Sequence, residues 1–246
     1  MMRVCIALTA TVLPPPSVPS LTLRNQNVRL RHYRRAIDWW ARSASKHSVP
    51  LFVFENSGSG DRISEFRGVR DGRVTIVDVE PPEPAAVLRG KGAGESQILY
   101  QASSVLGDFD YVVKCTGRLR VWNWYSVVVS SVQATSAPAY IKWGQDRSRV
   151  DTRFFVATPG FLHEWMGRAS SLVNEGVGSD LERVTAQVFS DPHQGMTGVQ
   201  AFARLPILRG QSASTGTRYR GYRASLNHLS DNFKEWWQDD RGAAGR

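Results

Sequence analysis

Short apolar runs and one-sided amphipathic stretches succeed each other along most of this chain, and their order predicts its elements. Residues Arg3 to Leu8 form a short, nearly continuous apolar run bounded by a polar and Pro-rich segment, the pattern of a strand covered on both faces. Leu30, Tyr33, Ile37, Trp40 and Ala44 then recur at spacings of three and four, which predicts a helix with one buried face. Val49 to Phe54 is a second strand-like run, ended by the turn composition Glu55-Asn-Ser-Gly-Ser-Gly60, and Val74 to Val79 is a third. After Pro81, Pro82 and Pro84, the segment Gly90-Lys-Gly-Ala-Gly-Glu95 leads into a helix with apolar positions Ile98, Leu99, Ala102, Val105 and Leu106. Asp110 to Cys115 is the next strand.

Beyond it, strand-like runs stand at Tyr125 to Val132, Ala139 to Trp143, Thr152 to Ala157 and Val199 to Arg204, with helices near Gly160 to Val173 and Asp180 to Phe189. A last helix carries Leu226, Leu229, Phe233 and Trp236 or Trp237. Strands alternating with helices predict an α/β fold whose mixed, mainly parallel sheet is flanked by helices. Ligands of such sheets bind at the C-terminal ends of the strands. No internal repeat is present, and no long polar gap divides residues 1–246, which predicts one domain.

Composition narrows the class. With 41% hydrophobic and 22% charged residues over 246 positions, the chain can bury a core without a metal or disulfide staple, which excludes disorder. No apolar run approaches the roughly 18 residues of a membrane span. The apolar N-terminus, interrupted by Thr9 and Thr11 and followed by Pro14-Pro-Pro16, reads as a buried strand and not as a signal peptide. Cys5 and Cys115 both lie in apolar runs, and two buried thiols without further pairs fit a reducing, cytoplasmic setting. Net charge is +9, and only five of the 31 basic residues are Lys. Arg binds phosphate and carboxylate two bonds at a time, so this balance suits an anionic partner, although such usage also follows from base composition alone.

Several motifs fail on context. Gly90 to Gly94 is neither a dinucleotide fingerprint nor a P-loop, His163-Glu164 lacks the second His of a helical zinc site, and Gly210-Gln-Ser-Ala-Ser214 lacks the last glycine of a nucleophile elbow. What remains is a set of polar residues at predicted strand ends: Thr9 and Thr11 after the first strand, Glu55 and Asn56 after the second, and Lys114-Cys-Thr-Gly-Arg118 after the fourth. Two cations and a glycine at one strand end combine charge with close backbone approach, which suits a diphosphate.

The order of Leu8-Thr-Ala-Thr11, Arg29-x-x-x-Tyr33, Phe54-Glu-Asn-Ser-Gly58, Lys91-Gly-x-Gly-Glu95 and Lys114-x-Thr-Gly-Arg118 resembles the bacterial glycosyltransferases of the GT-A type that build lipopolysaccharide or capsule. The likeness covers about the first half of the chain by motif. It extends more loosely through Asp151-Thr-Arg153, Glu182 and the loop from Gly210 to Tyr219. The resemblance implies a Rossmann-like GT-A domain with a nucleotide-binding half of about residues 1–125 and an acceptor-side half of about 126–246. It implies a nucleotide-sugar donor held by Thr9, Thr11, Glu55, Asn56, Ser57, Lys91, Gly92, Gly94, Glu95, Lys114, Thr116, Gly117 and Arg118, and a glycan or lipid-linked acceptor near Arg153, Ser214, Arg218 and Tyr219.

Members of that group usually end a mid-chain strand in Asp-x-Asp, which binds a divalent metal on the donor diphosphate. Here Asp108-Phe-Asp110 precedes its strand, and Lys114 and Arg118 occupy the place of the metal ligands. Cations there neutralise the leaving diphosphate as a metal would, so the expectation is a metal-independent enzyme without a further cofactor. Transfer with inversion needs a base for the acceptor hydroxyl. Glu182 is the first candidate and Asp151 the second, while Glu182 also fits an ordinary first-turn acid and a retaining mechanism needs no base. The loop from Ser212 to Tyr219 is composed to close over a donor. Arg220, Arg223, Trp236 and Trp237 suit peripheral contact with an anionic membrane at its cytoplasmic face.

Two other classes compete. A basic, aromatic-rich protein could bind RNA, but the bases are dispersed and no nucleic-acid motif is present, which makes nucleic acid the weaker partner. A sugar nucleotidyltransferase would share the α/β fold but needs a Gly-rich loop after the first strand, where this chain has Pro14-Pro-Pro16.

Overall fold

The computed structural model describes residues 2–19, 21–191, 195–213 and 215–220. In chain order its elements are β1 (Val4–Ala10), α1 (Gln26–Ser45), β2 (Leu51–Glu55), α2 (Gly60–Ser64), α3 (Arg67–Arg70), β3 (Thr75–Asp78), α4 (Pro84–Arg89), α5 (Lys91–Val105), β4 (Tyr111–Thr116), β5 (Arg120–Val121), α6 (Trp124–Ala134), β6 (Ala139–Trp143), β7 (Val150–Ala157), α7 (Pro159–Leu172), α8 (Leu181–Ser190), β8 (Val199–Ala201), β9 (Leu208–Gln211) and β10 (Arg218–Arg220). Among the described residues these strands make a seven-stranded sheet of order β3-β2-β1-β4-β7-β6-β8 and a small sheet of order β10-β9-β5. In the large sheet only β7 runs against its neighbours β4 and β6. The α/β fold is therefore mixed and mainly parallel, as the alternation of apolar runs predicts.

Period-two alternation divides the core into two layers. Ile6 and Leu8 of β1 face α1 and α6, where Ile37, Trp40, Trp124 and Val127 are buried. Cys5 and Ala7 face the opposite layer of α5, α7 and α8, filled by Leu99, Leu162, Trp165 and Val184. Helix α1 starts where the Asn25 side chain accepts the Val28 amide, and its buried face falls at the predicted three- and four-residue spacing. Cys5 and Cys115 lie in opposite layers, so the two thiols cannot pair, and burial pushes each up to about 12.

Two expectations are corrected. Residues Tyr125 to Val132 read as a strand because of their β-branched run, but they lie within α6. Trp124, Val127, Val128 and Ser131 are buried at helical spacing, and the Trp124 indole packs 5.7 Å from Trp40 while its Nε1 donates to Ser43 Oγ. Packing against α1 overrides local β propensity. The strand expected to reach Arg204 stops at Ala201, because the backbone beyond it is captured by side chains. Ser131 Oγ accepts the Ala203 amide, and Asn123 holds the Leu205 carbonyl and the Ile207 amide. The expected last helix, with Trp236, Trp237 and Arg223, lies outside the described residues.

The Trp40 indole crosses the core to donate to the Leu119 carbonyl at 2.8 Å, tying α1 to the turn between β4 and β5. Trp40→Phe should lower stability by about 1–3 kcal/mol, since it leaves a buried carbonyl unpaired and removes volume. Chemical denaturation should show a lower midpoint at unchanged slope; an unchanged midpoint would mean that the bond contributes nothing.

Candidate functional site

Strand β1 lies between β2, reached through α1 on one side, and β4, reached from β3 on the other, so the strand order reverses there and opens a crevice at the C-terminal edge of the sheet. A cavity of about 540 Å³ occupies this crevice. Its lining combines two kinds of surface. Val18, Leu21, Val87 and Ala213 form a small apolar cluster, joined by Pro14 and Pro15. Lys91, Arg118, Asp151, Arg153 and Glu182 supply charged side chains. The apolar part is assembled from distant segments: Ala213 accepts the amides of Thr22 and Leu23, which ties the loop after β9 to the loop after β1.

Buried side chains hold the loop after β1. Arg29 Nε donates to the Thr11 carbonyl at 3.0 Å and Nη1 to the Leu23 carbonyl, while the Tyr33 hydroxyl accepts the Thr11 amide. Glu55 is fully buried, and its two oxygens accept the amides of Val12, Ser57 and Ser59. Ser57 Oγ in turn accepts the Leu13 amide. These two residues do not line the cavity. They set the loops that do, and Asn56 between them lines it with Oδ1 accepting from Thr11 Oγ1 at 2.7 Å.

Lys114 departs from the strand-end expectation in the same way. Its position in β4 turns it toward α5, and its ammonium is fully buried, donating to Glu95 Oε1 at 2.7 Å and to the Thr152 carbonyl at 2.6 Å. Glu95 also accepts from Thr9 Oγ1. Burial raises the proton affinity of Glu95, but the adjacent ammonium and these hydrogen bonds outweigh it and hold the carboxyl below its ordinary value. Lys114 thus lies behind the cavity wall, whereas Thr9, Glu95 and Thr116 form the wall itself.

The two candidate bases are set apart by their partners. Asp151 is clamped by Arg153, with Nε on Oδ1 at 2.7 Å and Nη2 on Oδ2 at 2.5 Å. Burial pushes its proton affinity up, yet the Arg153 bonds and charge prevail and hold it below the ordinary range. Glu182 is pushed up by burial, only partly offset by the Lys91 charge. It accepts one bond from Thr152 Oγ1 at 3.2 Å. The helix is capped by Asp180, whose side chain accepts the Arg183 amide and pairs with Arg149, so Glu182 is released from that duty.

Thr11, Lys91, Gly94, Arg118 and Tyr219 also line the cavity. Gly92, Gly117 and Arg218 do not; Gly117 is needed where its backbone meets Thr9, since a Cβ there would stand 2.7 Å from the Thr9 carbonyl oxygen. Ser214 lies outside the described residues. Sequence reasoning missed Lys142, Trp143 and Gln211 on the lining, and Glu175, which accepts from Lys91 Nζ at 3.1 Å and from the Gly92 amide at the start of α5. Glu175 gave no sequence signal because its partner is 84 residues away.

A divalent metal does not fit the groups present. Among the described residues no three His, Cys, Asp or Glu side chains gather as ligands, and the cavity carboxylates Glu95 and Asp151 are already paired with Lys114 and Arg153. Asp110 stands at the far end of β4, where it accepts the Arg3 amide. No described helix is long and apolar enough to cross a membrane.

No family model matches this chain, and no curated protein matches it. Solved structures share its fold. A protein assigned as a nucleotide-diphospho-sugar transferase from Desulfovibrio desulfuricans G20 superimposes with a TM-score of 0.50 at 11% identity, over 82% of this chain and 80% of the other. Galactosyltransferase LgtC, solved with donor and acceptor sugar analogs, superimposes with a TM-score of 0.51 at 11% identity, over 80% and 72%. The chain therefore has a GT-A-like α/β fold.

Glu182 binds its proton more tightly folded than unfolded, so its contribution to stability is full below the unfolded carboxylate value and is lost as pH rises through its raised folded value. Glu95 and Asp151, held low, act the other way and lose their contribution as pH falls through their folded values. Glu182→Gln should accordingly raise Tm at pH 7 and leave it nearly unchanged around pH 4. Equal Tm differences at both pH values would show that Glu182 carries no raised proton affinity.

Proposed function

We propose that this protein is a glycosyltransferase that moves a sugar from a nucleoside diphosphate sugar to a glycan or lipid-linked acceptor, without a metal. One observation carries the reading: the cavity at the sheet's switch point combines an apolar cluster with cationic side chains, which matches a nucleoside joined to a diphosphate. The fold and the resemblance to enzymes of lipopolysaccharide and capsule synthesis support the choice of donor and acceptor. The Pro-rich loop after β1 argues against nucleotidyl transfer, which calls for a Gly-rich phosphate loop there.

On this reading the base and ribose lie against the apolar cluster, with Asn56 offering its amide N–H groups, since Oδ1 is engaged by Thr11. The diphosphate lies toward Lys91 and Arg118. The acceptor hydroxyl attacks the anomeric carbon, a new glycosidic bond forms, and the bond from that carbon to the diphosphate oxygen breaks. Glu182 takes the acceptor proton, and Lys91 and Arg118 neutralise the charge that develops on the departing nucleoside diphosphate. A carboxylate whose proton affinity burial has raised is suited to that task near neutral pH. Asp151 is unsuited, because Arg153 occupies both of its oxygens. It orients Arg153 instead.

Nucleoside diphosphates at 100-fold their Kd should stabilise the folded protein by about 2.7 kcal/mol, read as a rise in Tm, and the rise should persist in excess chelator. Arg118→Ala should weaken that binding by about tenfold or more, as expected for a lost charge-assisted contact. A Tm insensitive to every nucleoside diphosphate and nucleotide sugar would reject the donor assignment, and a rise that requires manganese or magnesium would reject metal independence.

Chemistry is tested apart from binding by Glu182→Gln, which preserves size but cannot accept a proton. Turnover should fall by roughly 10²–10⁴-fold with donor affinity little changed. Near-normal turnover in the folded variant would remove Glu182 from the mechanism and leave transfer with retention of configuration as the next reading.

A further inference from the structure

Beside the main cavity lies a second one of about 480 Å³, lined among the described residues by five arginines and by no carboxylate. His32 and Arg35 enter it from α1, Arg118 and Arg120 from the end of β4 and from β5, and Arg209 and Arg218 from the small antiparallel sheet. Among the described residues none of these five arginines forms an ion pair with a carboxylate. Arg120 and Arg209 are direct partners across the β5–β9 pairing, an arrangement of like charges that opposes folding.

Polar atoms are left without partners in the same place. Arg118 Nε, Arg209 Nε and His32 Nδ1 are all buried and unbonded, and Arg118 as a whole is only 9% exposed. Buried donors without acceptors are costly and call for a ligand. Surrounding packing holds the groups in place: Arg118 Nη1 is anchored on the Gln211 carbonyl at 3.0 Å, and the Arg209 guanidinium lies 4.0 Å from the centre of the Trp122 ring. His32 has its proton affinity lowered by burial and then by Arg118, Arg35, Arg31 and Arg218.

From this convergence of unpaired arginines we infer that the second cavity binds a phosphate or diphosphate group, one borne by the acceptor substrate. The assignment to the acceptor rests on the proposed glycosyl transfer. Arg118, Gln211 and Tyr219 line both cavities, so an anion in the second lies next to the donor phosphates and the transfer point. Tyr219 stands at the partition, its ring 4.6 Å from the Arg153 guanidinium. The arginines converge from α1, the β4–β5 turn and the small sheet on one open pocket and do not run as a stripe along a single element, which favours a compact oxyanion over a nucleic-acid backbone.

Calorimetry with inorganic pyrophosphate at low salt tests the site in the full chain, with nucleoside diphosphate titrated separately. Arg209→Ala and Arg120→Gln should each weaken pyrophosphate by about tenfold or more and change nucleoside diphosphate affinity by less than about threefold. Without ligand, Arg120→Gln should melt at or above the wild-type temperature, because it relieves repulsion across the strand pair; this separates lost binding from lost folding. Pyrophosphate binding in the wild type, lost in these variants, supports the site even if no nucleoside diphosphate binds, an outcome that rejects the donor reading alone. The site is overturned if pyrophosphate fails to bind, if the variants leave its affinity unchanged, or if both ligands weaken together, which would merge the cavity with the donor site. Tighter binding of a single-stranded oligonucleotide than of pyrophosphate, lost in the same variants, would overturn it in favour of nucleic acid.

Discussion

A lysine ammonium with no access to water must find its hydrogen bonds inside the protein, and Lys114 finds them at the junction of the parallel and antiparallel parts of the sheet. It bonds Glu95 on α5 and the Thr152 carbonyl on β7, and its ammonium lies 5.5 Å from the centre of the Phe155 ring. Removing the Glu95 carboxylate strands the fully buried ammonium in a low dielectric, typically at a cost of about 3–5 kcal/mol. The floor of the cavity depends on this arrangement. Glu95 presents its other interactions to Thr9 and Thr116, and Thr152, whose carbonyl the ammonium fixes, donates from its hydroxyl to Glu182. One buried pair therefore positions residues from β1, β4, β7, α5 and α8 about a single crevice.

Carboxylates in and beside that crevice are differentiated by what surrounds them. Glu95 and Asp151 have dedicated cations and remain charged, Glu55 spends its oxygens on loop amides, and Glu182 is half-buried with the Thr152 hydroxyl as its side-chain donor. Identical chemistry is thereby divided among a structural strut, a loop anchor, a partner of Arg153 and a carboxyl whose surroundings favour its protonated form. The cations divide likewise. Lys114 is consumed by the fold, Lys91 is half-committed to Glu175, and the arginines around the second cavity have no carboxylate among the described residues.

Most of the architecture was legible in hydrophobic periodicity. The runs that became β1 to β4, β6 and β7, and the one-sided stretches that became α1, α5, α7 and α8, stand close to where the pattern predicts them. The failures share a cause. Residues 125–132 are rich in β-branched side chains, yet Trp124, Val127, Val128 and Ser131 pack as one buried face and make the run part of α6. Residues past Ala201 look like strand, yet Asn123 and Ser131 take their backbone groups. In both places a partner far away in sequence decides the local state.

By itself the sequence determined the α/β class, the polar residues at the C-terminal ends of the strands, and the absence of Asp-x-Asp from the end of β4, because strand ends and residue types are local properties. Tertiary structure alone decided which of those polar residues line the cavity. Strand alternation turned Lys114 toward α5 and into a buried pair, the loop connections made Glu55 and Ser57 scaffolding, and the packing of α8 against β7 left Glu182 beside the crevice. The second cavity was invisible in sequence for the same reason. Its arginines are dispersed from Arg35 to Arg218 and converge only when α1 and the small antiparallel sheet meet, and electrostatic meaning depends on distance in space and on burial, neither of which is a property of the sequence position.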